Sequence, residues 1–312
     1  MRRLNAYVRE ALAHLARQTY RNFDVYVVTD EAETIAQDGL VVTCLSSGAV
    51  PPNYKRKMAA EQSDADVVAL LDDDAYPVGE WLSAAVAHFE NGDVVAVGGP
   101  GVTPPGDSPS QRASGAIYAS PLVSADAVYR YLPLAPRDVD DYPSCNLLVR
   151  REPFLRHVQS CLRYWPGEDT KLCYLLTKVE HKRIVYEPRA LVYHHRRNLF
   201  WGHFRQVWNY AVHRGFFAKR YPATSLRAQY FAPSTFVLGN LLALVALPFF
   251  PASRSLLGGA ALVYALLVAS SAMGAQGRPR PNPTLVALGI YLTHLTYGVG
   301  FLVGLSRAEL DH

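Results

Sequence analysis

The sequence predicts an α/β domain with a mostly parallel sheet, followed by an apolar helical tail. Three observations carry that prediction. Short apolar runs alternate with segments of helical period up to about residue 195. Aspartates stand at the ends of two of those runs, and beyond Arg227 charged residues almost vanish. Half of the 312 residues are hydrophobic and 19% are charged, which excludes a disordered chain and allows a large core.

Taken in order, Leu4, Val8, Leu12 and Leu15 recur at helical spacing, so residues 4–17 form an amphipathic helix. The turn TYRN leads into FDVYVVTD, a buried strand ending at Asp30. A second strand covers 40–44, SSGAVPPNY is loop by composition, and KRKMAAEQSDAD reads as a helix. VVALL is a strand that stops at Asp72-Asp73-Asp74; the helix EWLSAAVAHFE and the strand DVVAVGG follow. Residues 98–130 are rich in Gly, Pro and Ser, and fit either a surface loop or a flap over a site. The strand in YPSCNLLVRRE, a helix from EPFLRH, an acidic pair heading a helix in WPGEDTKLCYLL, and strands through RIVYEP and ALVYHH complete the domain. In open α/β sheets ligands lie beyond the carboxyl ends of strands, where Asp30 and the aspartate triplet fall.

The net charge is +4, and the basic residues gather between Arg196 and Arg227, a placement suited to anionic lipid headgroups rather than nucleic acid. Cys44, Cys145, Cys161 and Cys173 show neither C-x-x-C pairing nor zinc-ligand spacing and read as free thiols of a reducing compartment. The basic start leads into an amphipathic helix containing Glu10, not into a signal peptide. Between Asn198 and Tyr221, Phe200, Trp201, Phe204, Trp208 and Phe216 alternate with Arg205, His213, Arg214, Lys219 and Arg220, the composition of an interfacial helix or of a core helix. Three apolar stretches follow, 236–250, 255–275 and 284–305. The second and third reach the ~20 residues a spanning helix needs; the first is broken by Pro248. The expected divisions are therefore a catalytic domain over 1–197, an interfacial segment over 198–232 and a membrane region of two or three spans over 233–312. With a cytosolic head, three spans place Arg278 and Arg280 inside and the C-terminus outside, in keeping with the positive-inside rule, whereas a re-entrant first stretch leaves two spans.

The aspartate triplet is the strongest chemical signal. Carboxylates crowded at a strand end repel one another, and a divalent cation relieves that repulsion. Asp72 and Asp74 share a face if the strand is still extended there, and a hard cation, Mg²⁺ or Mn²⁺, bridged to a diphosphate suits such an oxygen-rich site. A solvated acidic turn or a helix cap is the plainer alternative. Glu168-Asp169 has its own plain reading, acidity at a helix N-terminus.

QTYRNFDVYVVTD, LLDDDAYPVGEWL and GEDTKLCYLL, in this order, resemble the motifs of family-2 glycosyltransferases of the GT-A fold, inverting enzymes that use nucleotide-sugar donors. The resemblance covers about 5–221. It implies that Asp30 contacts the nucleotide base or ribose, and that Lys57, or Arg56 beside it, is the basic residue near the base and diphosphate. It implies that Asp72 and its neighbour Asp73 bind the donor, that Asp74 with Asp72 holds a metal-diphosphate, and that His194, in preference to His195, completes the metal site. Asp169, with Glu168 beside it, matches the base that takes the acceptor proton. The implied partners are a UDP- or GDP-linked sugar, a glycan or lipid-linked saccharide acceptor and membrane lipids, with no nucleic acid. A polyprenyl-phosphate acceptor, or a catalytically weak membrane scaffold that keeps the fold, are the alternatives. The implied location is an integral membrane protein with its catalytic domain facing the cytosol, at the plasma membrane in a prokaryote. One departure stands out: the family's opening V-S-V-I-I-P type strand does not precede the first helix of this sequence, so a GT-A-like, Rossmann-type sheet lacking its usual first strand is expected.

Overall fold

The computed structural model describes residues 1–250, 252–277 and 279–310. Helix α1 (Ala6–Leu15) begins where the Asn5 side chain accepts the Val8 N–H, and it buries Val8, Ala11, Leu12 and Leu15, the stripe its periodicity predicts. Then come β1 (Val25–Thr29), β2 (Val42–Ser46), α2 (Pro52–Gln62), β3 (Val67–Leu71), β4 (Ala75–Pro77) and α3 (Trp81–Val86). They are followed by β5 (Val94–Gly98), β6 (Gly101–Val102), α4 (Pro109–Tyr118), α5 (Pro121–Ser124), β7 (Arg137–Val139), β8 (Asn146–Arg150), α6 (Arg151–Cys161) and α7 (Glu168–Tyr174). The order ends with β9 (Arg183–Tyr186), β10 (Val192–His194), α8 (Trp201–Arg220), α9 (Pro222–Ser225), α10 (Ala228–Ala246), α11 (Ala252–Met273) and α12 (Pro283–Ser306).

These elements form two compact units. The first contains residues 1–102 and 132–195; the second contains 103–131 and the described residues from Arg196 onward. Residues 98–130, read as loop or flap, therefore hold helices of the second unit. Ser108 and Gln111 cap α4 reciprocally, and Gly115 lies so close to Thr103 that a Cβ there would stand 1.9 Å from its Oγ1. Small residues at such contacts hide the helical period from a hydrophobicity pattern.

In the first unit a five-stranded sheet has the order β3-β8-β5-β9-β7, beside a β4-β10-β6 sheet and a β1-β2 pair. The sheet is mixed rather than mostly parallel. Strands β1/β2, β5/β9 and β6/β10 pair in parallel, whereas β3/β8, β5/β8, β7/β9 and β4/β10 are antiparallel. An apolar run shows that a strand is buried, not which way it points. Strand β8 enters between β3 and β5 in the opposite direction after the excursion through 103–145. Ahead of α1, where the family's opening strand has its place, the Arg2 carbonyl accepts the Asp30 N–H at 3.0 Å and the Met1 amine donates to the Val28 carbonyl.

The core of this unit joins the α1 stripe and Val27 to Trp81, Leu82, Val94, Val97, Leu148 and Val192. Asn146 ties three segments together inside it. Its Nδ2 donates to the Gly99 and Ala190 carbonyls at 2.6 and 2.8 Å, and its Oδ1 accepts from Trp81 Nε1 at 2.8 Å. Gly99 is required at this junction, because a Cβ there would stand 1.7 Å from the Ala190 oxygen.

In the second unit α10 begins at Ala228, contains Pro233 and stops before Pro248, so the first apolar stretch forms a longer helix than its composition suggested. Among the described residues α10, α11 and α12 are long and apolar enough to cross a membrane.

Asn146→Ala leaves three buried partners unsatisfied, at ~1–3 kcal/mol each. It should lower stability in denaturant titration several-fold more than Trp81→Phe, which removes one of the three bonds.

Candidate active site

The site forms at the carboxyl ends of β1 and β3. After β3, the Ala75 N–H donates to the Asp72 carbonyl at 3.1 Å and closes a turn through Asp73 and Asp74. The turn, not an extended pleat, brings Asp72 and Asp74 together. Strand β4 leaves it and pairs with β10 in the register Ala75 opposite His194. That pairing sets His194 Nε2 3.1 Å from Asp74 Oδ1. One ligand atom each from Asp72, Asp74 and His194 lie within 4.8 Å of one another. Two carboxylates and an imidazole on that scale fit a divalent cation.

The second acidic motif reaches the same place. Gly167, with φ of 117°, turns the chain into α7, and Glu168 and Asp169 occupy its first turn. Arg56, on α2, spans the gap between the motifs: Nη2 donates to Asp72 Oδ1 at 2.7 Å and Nη1 to Glu168 Oε1 at 3.0 Å. Glu168 is buried, and its other oxygen accepts the Gly167 N–H at 3.0 Å. Burial first, and then the Asp169 charge, push the Glu168 carboxyl up to about 7 against the opposing pull of Arg56. Asp169 is half-buried; its oxygens accept the Thr170 N–H at 2.7 Å and the Ser144 N–H at 3.3 Å. Asp73 is raised by burial and by the neighbouring Asp74. The region thus holds Asp72, Asp73, Asp74, Glu168 and Asp169 around Arg56, an excess of negative charge that a bound cation offsets.

At the end of β1, Asp30 is paired with Lys55 of α2, and this ion pair holds its carboxyl below the usual carboxylate range. Lys57, one of the two basic candidates from the sequence, is not brought to the acidic groups; it pairs with Glu61 one turn along its own helix at 2.9 Å. Asn53, Lys55 and Ala60 are the buried residues of α2, and Arg56 stands next to Lys55. Lys55 was therefore missed, and helical phase gave no pointer to it: five positions from Ala60, it lies ~140° around the helix from that buried residue. His195 also separates from His194: its Nε2 lies 3.0 Å from Glu10 and its ring stacks on Tyr7 at 4.4 Å.

Residues 2–157, half of the chain, match the family model for Glycosyl transferase family 2. Glucosyl-dolichyl phosphate glucuronosyltransferase of Haloferax volcanii is 25% identical over 227 residues, covering 64% of this chain and 69% of that protein. Among solved structures, the mannosyltransferase PcManGT from Pyrobaculum calidifontis, in complex with GDP-Man and Mn²⁺, superposes with a TM-score of 0.61 at 17% identity. That superposition covers 97% of this chain and 85% of the mannosyltransferase, and it shows a shared GT-A-like fold. From the motifs, the fold and the match over its N-terminal half, the chain belongs to glycosyltransferase family 2.

Proposed function

We propose that the protein transfers a sugar, with inversion, from a UDP- or GDP-linked donor to a lipid-linked saccharide at a membrane surface. The observation that carries this reading is the joining of the Asp72–Asp74–His194 cluster to the Glu168–Asp169 pair through Arg56. A donor diphosphate needs cationic support on one side of the anomeric carbon, and the acceptor hydroxyl needs a base on the other. The named relative supports a lipid-linked acceptor, and the three long apolar helices support membrane association.

In this reading Asp30, steadied by Lys55, receives the base or ribose of the donor, with Asp72 and Asp73 along the nucleotide. Asp74 and His194, with Asp72, hold Mg²⁺ or Mn²⁺, which when bound offsets the charge of the departing diphosphate. Arg56 keeps Asp72 and Glu168 at fixed separation. Glu168, buried and paired with Arg56, positions the start of α7, whereas the half-buried Asp169 serves as base. The acceptor oxygen attacks the anomeric carbon, Asp169 takes the hydroxyl proton, and the carbon–oxygen bond to the diphosphate breaks with its electron pair leaving on the nucleoside diphosphate. Nucleotide sugars are made in the cytosol, which places the catalytic unit on that side.

Asp74→Asn should abolish most nucleoside diphosphate release from the purified protein, and excess EDTA should do the same to the wild type. Undiminished turnover in EDTA rejects the metal assignment.

Asp169→Asn should leave nucleotide-sugar affinity nearly intact while transfer falls ~10²-fold or more. Equal loss of donor affinity in a binding titration identifies Asp169 as part of the donor site instead. Unchanged transfer with a phosphate acceptor, which carries no hydroxyl proton to remove, identifies a polyprenyl phosphate as the acceptor.

A further inference from the structure

Helices α10, α11 and α12 are alike in length and composition but not in surroundings. Of the apolar window of α12, 44% is buried inside the protein, against 6% for α10 and 11% for α11. The neighbour that covers α12 along most of its length is α8. His203 Nε2 lies 3.0 Å from Thr293 Oγ1, Gly300 faces Ala211 and Trp208, Gly304 lies against the Val212 carbonyl, and Lys219 Nζ donates to the Arg307 carbonyl at 2.8 Å. The two helices therefore run in the same direction in continuous contact from 203 beside 293 to 219 beside 307. At 1.5 Å per residue that contact extends over ~20–24 Å, so the two share one tilt.

The outward face of α8 does not suit acyl chains. Trp201, at 80% exposure, is followed by exposed Arg205, Trp208, Asn209 and Tyr210, a mixture of cationic, amide and amphipathic aromatic groups that belongs in the headgroup layer. An upright α12 would carry Arg205 and Asn209 to hydrocarbon depth on the face turned away from the protein, an expensive burial without partners.

Helices α10 and α11 behave differently. They touch α12 over short stretches: Phe231 meets Phe301 at 4.8 Å, Ser234 Oγ donates to the Gly298 carbonyl, and Tyr264 Oη lies 2.8 Å from His294 Nδ1. Phe236 stacks on Tyr264 at 4.6 Å. Beyond that stack no described residue between 238 and 267 is buried, and Leu242, Val245, Phe249, Leu256 and Leu262 are all more than 60% exposed. The only charged residue in this stretch is Arg254, next to the turn between the helices.

We infer that the membrane anchor is the α10–α11 hairpin alone, a surface for the acyl chains of a bilayer, and that α12 remains in the headgroup layer beside α8, so the chain crosses twice and its C-terminus stays on the side of its catalytic unit. The arms from Val237 to Ala246 and from Ala252 to Val263 reach ~15 and ~18 Å past α12. Adding the ~5–10 Å depth of an interfacial helix and ~5 Å for the radius of α12 gives about the ~30 Å of the hydrocarbon core. Arg254 then reaches the far headgroups by extending its side chain, and Arg307 joins Arg214, Lys219, Arg220 and Arg227 on the near side. No apolar segment long enough to cross separates the first unit from α8, which keeps both on one side.

The test is protease protection of the full-length protein in bacterial spheroplasts, with different epitope tags before Met1 and after His312. Both tags should survive in intact spheroplasts and both should be lost once the membrane is permeabilised. Removal of the C-terminal tag alone establishes an odd number of crossings and overturns the inference. Ser255→Cys should react with a membrane-impermeant maleimide added from outside, and absence of labelling there overturns the second crossing. Release of the chain by alkaline carbonate overturns the hairpin anchor. None of these readouts depends on activity, donor or acceptor, so failure of the proposed reaction is distinguishable from failure of this topology.

Discussion

The site is organised by one guanidinium. Asp72 and Glu168 belong to motifs almost a hundred residues apart, each a cluster of carboxylates that repels the other. Arg56 donates to one oxygen of each, at 2.7 and 3.0 Å, and is itself shielded from solvent, so both contacts act in a medium poorer than water at screening charge. Its position follows from α2, which also delivers Lys55 to Asp30. A single helix thus places the cations that let three acidic segments converge. The carboxylates beyond those it neutralises are left to a bound cation, and the arrangement is therefore a polarised site rather than a closed ion-pair network.

Strand β10 supplies the other half of the geometry. It pairs with β4 on one side and β6 on the other, and its register sets His194 opposite Ala75, one residue past Asp74. The turn after β3 would be an exposed acidic loop if β4 were not fixed there. The Asn146 contacts to Gly99 and Ala190 hold the segments that lead into β6 and β10, which links core packing to the spacing of the candidate metal ligands.

How much of this was legible in the sequence depends on whether a feature is local. The α1 stripe, the apolar strands and the acidic residues that end them follow from periodicity and from where charge is tolerated, and the structure forms them where the sequence placed them. Strand direction is not local: nothing in NLLVR says that it enters between β3 and β5 in reverse. Helix α4 was hidden because PSQRASGAIY packs through small residues against Thr103 and not through a wide apolar stripe. Within the site, the aspartates and Arg56 were found by residue type and position, but Lys55 was not, because its pairing with Asp30 is a long-range contact, and Lys57 serves its own helix through Glu61. His194 and His195 are adjacent in sequence, yet alternation along a strand end sends one to Asp74 and the other to Glu10.

The apolar tail illustrates the same limit for whole helices. Hydropathy measures what a helix tolerates as surroundings, and a helix buried in protein tolerates much the same composition as one buried in lipid. What separates α12 from α10 and α11 is specific contact: glycines at 298, 300 and 304 admit the backbones or rings of neighbouring helices, and Thr293 and His294 find hydrogen-bonding partners in His203, Tyr264 and the Leu122 carbonyl. Glycines 239, 258 and 259, on α10 and α11, meet nothing within 4 Å. A helix whose glycines are filled and whose polar groups are satisfied by protein has given much of its surface to the fold. The two helices whose surface is least covered by protein have the most apolar area left for the bilayer, and they are the pair joined by a short turn with a single arginine beside it.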